Sequence, residues 1–483
     1  MHGADIDLSG FLEVHAKATA QARNTSRPSL AIWREELGHV DPAALLGPLF
    51  ERSGRSFFWE SPQCGVIALG SSADFGADSA AGPGEADRFA GIRRSWESAM
   101  ENAVTGGPGS GAAPALVGGF AFAPRPGTMP GALMWLPRVL IARDRDGRTT
   151  LSLSVRVDPG PATSDAAVRV AAEAVALLSR AGGHPCNPPR QAGTTLTEIP
   201  SGQEWKALVA RAVEEIGRGA FDKIVVARQL RVSSPTAYDV PSVLAALLDA
   251  QPGSTVFGVG LDGHAFVGAT PERLVSLHAG RAESMSLAAS MPRGGTAAED
   301  ARLRATLLAD DRSRREQGIV TQAVRHAFEQ MCRHVELDEP YVLDLPNLRH
   351  LHTRIVGEIA DPDVVSVLDL VERLHPTPAV GGHPREPALA WLDRAEPIDR
   401  GWYAGPVGWM NAAQDGDFAV ALRSAHLRGG IATLYAGCGI VAGSDPGGEL
   451  QETWLKFRPM LAALAVPESH EPPLQEEPEN DHH

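Results

Sequence analysis

The chain has 483 residues, 43 % hydrophobic and 21 % charged, an ordinary globular composition with room for two to four domains or one large α/β body. Its 44 basic and 59 acidic residues leave a formal charge of −15. That balance excludes a nonspecific hold on nucleic acid or on an anionic membrane, and an anionic substrate would need a local cluster of cations or a metal.

In chain order, residues 1–30 read as disordered, polar and without an apolar core of signal-peptide length. Strands are expected in "SFFWESPQCGVIALG", "ALVGGFAFAP", "ALMWLPRVLIARD" and "TTLSLSVRVD", with helices at 91–103 and about 164–181. The Pro/Gly/Thr-rich run 181–201 is the best internal boundary, dividing residues 31–195 from 196–465 within one body. Ser201 then caps a helix whose Trp205, Leu208, Val209, Ala212, Val213 and Ile216 share a face. "DKIVVARQLRV" reads as a strand and 238–251 as a helix. "STVFGVGL" and "HAFVGATPERLVSL" form a hairpin around Asp262-Gly263. A long helix is expected over roughly 298–334, then strands at 416–429 and 431–443 and a closing helix at 449–465. The acidic, Pro-rich tail 466–483 reads as disordered. Hairpin-linked strands outnumber strand–helix–strand units, which favours antiparallel or mixed sheets.

Cys64, Cys186, Cys332 and Cys438 stand far apart without metal or disulfide-framework spacing, and no run reaches membrane-span length, so a soluble cytoplasmic protein is expected. Candidate chemistry rests on charged residues in unusual places. Glu449, Glu452 and Lys456 fall within about 60° of one another around a helix. They form either a surface i,i+4 pair or, with Glu316 from a distant helix, the oxygen ligands of a hard divalent cation. Lys223 opens an apolar strand on the face of Val225 and Ala227. It lies either at the rim with its head in water or buried as a general base. Glu272 follows a Thr-Pro turn, as a solvated glutamate or an acid.

Ten segments in order resemble the chorismate-utilising enzymes, the anthranilate synthase component I-like family, over about residues 200–462: "DKIVVARQ", "FVGATPERL", "LAASMPRGG", "RREQGIV", "LRHLHTRIVGEI", "LHPTPAVGGHP", "GWYAGPVGW", "VALRSAHL", "AGCGIVAGSDP" and "ELQETWLKF". The resemblance implies an α+β fold, a two-layer sandwich of large stacked antiparallel or mixed sheets with outer helices. "LHPTPAVGGHP" is similar to the isochorismate synthase branch, with Gly381 where aminating and salicylate-forming relatives usually carry threonine. The implied activity is Mg²⁺-dependent conversion of chorismate to isochorismate for menaquinone or siderophore synthesis. A salicylate synthase that also eliminates pyruvate, an aminating relative, and a catalytically silent chorismate-binding paralogue are the alternatives.

The same resemblance implies roles. Lys223 would be the base that activates water and Glu272 the acid that protonates the leaving hydroxyl. Glu316 and Glu452 would bind Mg²⁺, with Glu449 acting directly or through water. Arg423, Tyr403 and Lys456 would grip a carboxylate, helped by backbone N–H groups near Gly437 and Gly439. His350 and Ser290 would sit beside the ring, Gly381 would line the substrate site, and a monomer is expected. The chain departs from the family pattern at Ser313, where an acidic residue is usual, at Gln317 in place of histidine, and at Ala289 in place of glycine. Loss of such supporting groups typically weakens metal affinity or activity 10–100-fold. His326 and His334 read as solvated rather than as ligands.

Overall fold

Hairpins build most of the computed structural model, which describes residues 9–51, 54–76, 87–109, 114–124, 127–160, 165–180, 182, 193–346 and 348–467. Among these, thirteen strands form one sheet and ten form another. The paired strands run antiparallel except Ser29–Leu37 with Val104–Gly106. The expected α+β class is the one observed. Asp262 and Gly263 both take positive φ, 36° and 89°, giving the tight turn that joins Thr255–Leu261 to His264–Thr270.

Both sheets run across the 181–201 segment. In the larger, Val256–Gly260 pairs with Ser56–Glu60, and in the smaller, Pro406–Asn411 pairs with Pro114–Phe120. The inner faces meet through aromatic rings: Phe57 of the larger sheet lies edge-on to Trp135 of the smaller, with centroids 6.2 Å apart. The outer face of the larger sheet buries a second core against the helices Ser9–Thr25, Leu46–Phe50, Asp165–Ser179, Val240–Ala250 and Pro446–Ala463. The helix Asp311–Glu329 lies on the smaller sheet, against Arg281–Pro292 and Leu348–Ile359.

Two expectations are corrected. From Ser9 onward the N-terminal segment is ordered: Phe11, Val14, Ala18 and Ala22 recur at helical spacing and are buried in the second core. Residues 1–8 and 468–483 lie outside the described residues. The single helix expected over 298–334 is two, Ala297–Ala309 and Asp311–Glu329, followed by the strand Cys332–Leu337. Asp310 makes the break. Its backbone is extended (φ −73°, ψ 114°) and its carboxylate accepts a 2.7 Å bond from the Ser313 N–H, capping the second helix. Elsewhere Ser201 and Glu204 form the full capping box at the start of Gly202–Gly217.

Candidate active site

Lys223 is the first residue of the strand Lys223–Ser233, and its side chain is 1 % exposed. The rim alternative is therefore excluded. The Lys223 amino group meets the Glu316 carboxylate at 3.0 Å, presented by the second turn of Asp311–Glu329. Room for this pair comes from Gly439 on the neighbouring strand Ile431–Ile440. A Cβ there would lie 2.7 Å from Glu316 Oε1 and 3.1 Å from Lys223 Cε. Gly437 does the same for Tyr403, whose hydroxyl would be 3.1 Å from an added Cβ. Both glycines lie in the strand expected here, which ends at Ile440, and the Gly437 carbonyl accepts a 2.8 Å bond from Lys456 Nζ.

Lys223, Glu272, Ser290, Glu316, His350, Tyr403, Arg423, Gly437, Gly439, Glu449, Glu452 and Lys456 all line one cavity of about 320 Å³. Gly381 does not. It stands behind the wall, its carbonyl accepting from the Val225 N–H at 2.8 Å, while Ala379 and Val380 face the cavity.

Glu272 sits between His264–Thr270 and Arg273–His278, held by a bond from its N–H to Thr270 Oγ1 at 3.2 Å. Burial pushes its carboxyl up to about 7, against the opposing pull of Lys223, Arg423 and Lys456. It thus keeps its proton to far higher pH than an exposed glutamate does. Burial also drives His350 well below its ordinary value, with Arg423 and Lys456 adding to the effect, so the imidazole is neutral. Its Nδ1 lies 3.2 Å from Ser290 Oγ, and its buried Nε2 has no hydrogen-bond partner among the described residues. That nitrogen is available to a ligand. Tyr403 stacks on Tyr435 at 5.2 Å and is pushed up to about 12 by burial, remaining a neutral donor. Arg423, the cation facing these groups, adopts a left-handed backbone (φ 49°), a strained conformation for a residue other than glycine.

The closing helix begins at Pro446, earlier than expected, because Asp445 caps it through the Gly448 N–H at 2.7 Å. Its first turns carry Glu449, Glu452 and Lys456. Lys456 lies 2.6 Å from Glu452; burial disfavours its charge, but the Glu452 carboxylate outweighs that and raises its pKa. Glu449 is raised to about 7, first by burial and then by repulsion from Glu452. Cys438 Sγ and carboxylate oxygens of Glu449 and Glu452 lie within 4.8 Å of one another. The thiol donates to the Glu449 carbonyl at 3.2 Å, leaving oxygen as the free donor type.

Arg312 was missed as a site residue: it lines the cavity and reaches Glu449 Oε1 at 3.2 Å and Ser444 Oγ at 2.8 Å. The sequence offered only the run of positive charge in "RSRRE" as a signal. Gln317 points away, its amide donating to Thr353 Oγ1 at 2.9 Å, while Ser313 is on the cavity wall. Ala289 has φ 54° beside an irregularity in the ladder with Leu348–Ile359, a conformation that suits the glycine usual in relatives. His326 and His334 are exposed, as expected.

A buried lysine and a carboxyl raised by burial open on one cavity, ringed by cations and carboxylates, in an enzyme of the two-sheet α+β type. The chain belongs to the chorismate binding enzymes: that family's profile matches residues 17–465. It is 36 % identical over 471 residues to the salicylate biosynthesis isochorismate synthase of Pseudomonas aeruginosa, covering 95 % of each chain. Among solved structures, the DhbC isochorismate synthase of Bacillus anthracis matches 88 % of this chain and all of its own, with TM-score 0.70 at 27 % identity. The menaquinone-specific isochorismate synthase MenF of Escherichia coli matches 94 % and 100 %, with TM-score 0.76 at 24 % identity, a likeness of fold.

Proposed function

We propose that this chain converts chorismate to isochorismate. The observation that carries the reading is the convergence of buried Lys223 and raised-pKa Glu272 on one cavity whose other groups suit a small dianion. Lys223 takes a proton from a water whose oxygen attacks C2 of the ring. Glu272 gives its proton to the hydroxyl leaving C4, so one water enters, one departs, and the ring double bonds shift. Arg423, Tyr403 and Lys456 hold one carboxylate, and neutral His350 with Ser290 contacts the ring side. The apolar wall of Val225, Leu287, Ala379, Val380 and Leu422 keeps bulk water from the reacting carbons.

Mg²⁺ fits the remaining donors. Glu316, Glu449 and Glu452 offer hard oxygens, and the mutual repulsion that raises Glu449 is what a divalent cation relieves. These residues would hold the ion, which when bound supplies charge neutralisation and orientation for the other substrate carboxylate. The relatives' names support isochorismate as the released product. The charge of −15 and the free thiols of Cys64, Cys332 and Cys438 support a cytoplasmic location, and no helix among the described residues is long and apolar enough to cross a membrane. A monomer in size-exclusion chromatography is expected.

The test is the purified protein with chorismate and Mg²⁺, its products separated by chromatography. Isochorismate is expected as the sole product, with turnover stopped by EDTA and restored by Mg²⁺. Salicylate with pyruvate, anthranilate in the presence of ammonium, or no turnover at any Mg²⁺ concentration would each refute the assignment.

A further inference from the structure

Each carboxylate of the cation site is already paired with one basic side chain: Glu316 with Lys223 at 3.0 Å, Glu452 with Lys456 at 2.6 Å and Glu449 with Arg312 at 3.2 Å. A cation entering among them competes with these basic partners for the carboxylate oxygens. The three differ in what the basic partner can do once separated. The Lys223 side chain is 1 % exposed and that of Lys456 11 %, so neither can turn out into water when its carboxylate is taken. The Arg312 side chain is 49 % exposed, and its guanidinium can turn into water at little loss, as in other exposed ion pairs.

Its position adds to this. Arg312 stands in the first turn of Asp311–Glu329, the helix that carries Glu316. It crosses the cavity to Ser444, just before Pro446–Ala463, the helix that carries Glu449 and Glu452. It therefore bridges the two helices on which the cation site is divided, on the side open to solvent.

We propose that Arg312 is the gate of the cation site, occupying Glu449 in the metal-free protein and surrendering it to the entering ion. This rests on the magnesium reading above. Guanidinium and a divalent ion compete for the same carboxylate and repel each other, so removing the guanidinium strengthens ion binding. A residue that merely held the two helices in place would have the opposite effect, since its loss would loosen the ligand set.

The experiment is calorimetric titration of Mg²⁺ into the metal-free full chain at pH 8.5, comparing wild type, Arg312→Gln, Arg312→Met and Arg312→Lys. The expected result is at least a threefold lower Kd in Arg312→Gln and Arg312→Met, with Arg312→Lys within about twofold of wild type. Circular dichroism checks the fold, and either neutral variant suffices if the other misfolds. Unchanged or weaker binding in a folded neutral variant overturns the gate while leaving the magnesium reading intact. No Mg²⁺ binding by the wild type overturns that reading and the gate with it.

Discussion

Replacing Glu272 with glutamine keeps the shape of the side chain and removes its charge, so it separates what this carboxyl does for the reaction from what it costs the fold. Burial raises the group from 4.5 to about 7. At about 1.36 kcal/mol per pH unit, that difference corresponds to roughly 3 kcal/mol. The direction follows from where the proton is held. Below pH 4.5 the carboxyl is neutral in folded and unfolded chains alike, and no penalty exists. Between 4.5 and 7 the unfolded chain ionises while the folded one keeps its proton, and stability falls as pH rises. Above 7 the folded protein carries the full penalty. Glu272→Gln should therefore be more stable than wild type by up to about 3 kcal/mol at pH 8, with the gap nearly closed at pH 4.5. Urea unfolding followed by circular dichroism, in EDTA at both pH values, measures it. Turnover should move oppositely: kcat falls by about 10²–10⁴ in the variant, and wild-type kcat declines above pH 7 as the acid loses its proton. A stability gap that does not change with pH, or a variant less stable at pH 8, would refute the argument that a buried neutral acid sits at this position.

Other substitutions probe the remaining parts of the site. Lys223→Ala should lower kcat by about 10²–10⁴ with the far-ultraviolet circular dichroism spectrum preserved, and retained isochorismate formation would remove the base assignment. Gly439→Ala places a methyl 2.7 Å from Glu316 Oε1, so kcat should drop about 10–100-fold; wild-type kinetics would show that the Lys223–Glu316 pair need not be kept as it stands. Ala289→Gly relieves the left-handed backbone at φ 54° and should raise the urea-unfolding free energy by about 1 kcal/mol, whereas a loss of stability would mean the strain is absent.

The sequence was most readable where side-chain chemistry and backbone pattern coincide. The Asp262-Gly263 turn, the Ser201 cap and the antiparallel character of the sheets followed from local rules, because turns and caps are satisfied within a few residues. Lys223 needed the fold: its strand pattern admitted both rim and core, and what decides is the distant helix Asp311–Glu329, which brings Glu316 to within 3.0 Å of its amino group. Gly381 was misplaced by its motif, since neighbours in a bent segment face different ways and the cavity takes Ala379 and Val380 instead. Arg312 was overlooked because its partner Glu449 lies 137 residues away and nothing local marks a side chain that acts across a gap. The helix Ser9–Thr25 hid behind its polar residues, although its four inward positions kept helical spacing. At Asp310 a side chain ended one helix to begin another, a competition that average helix preference across the window does not resolve.

The pairing of Lys223–Ser233 with Ile431–Ile440 has a consequence for how the molecule is made. The strand that carries Lys223 emerges from the ribosome about two hundred residues ahead of this partner, and Glu449, Glu452 and Lys456 follow later still. A nascent chain therefore carries an unfinished edge for much of its synthesis, open to unwanted pairing with other strands, and has no catalytic power until its final helix docks. Truncated products ending before that helix are expected to turn over no chorismate.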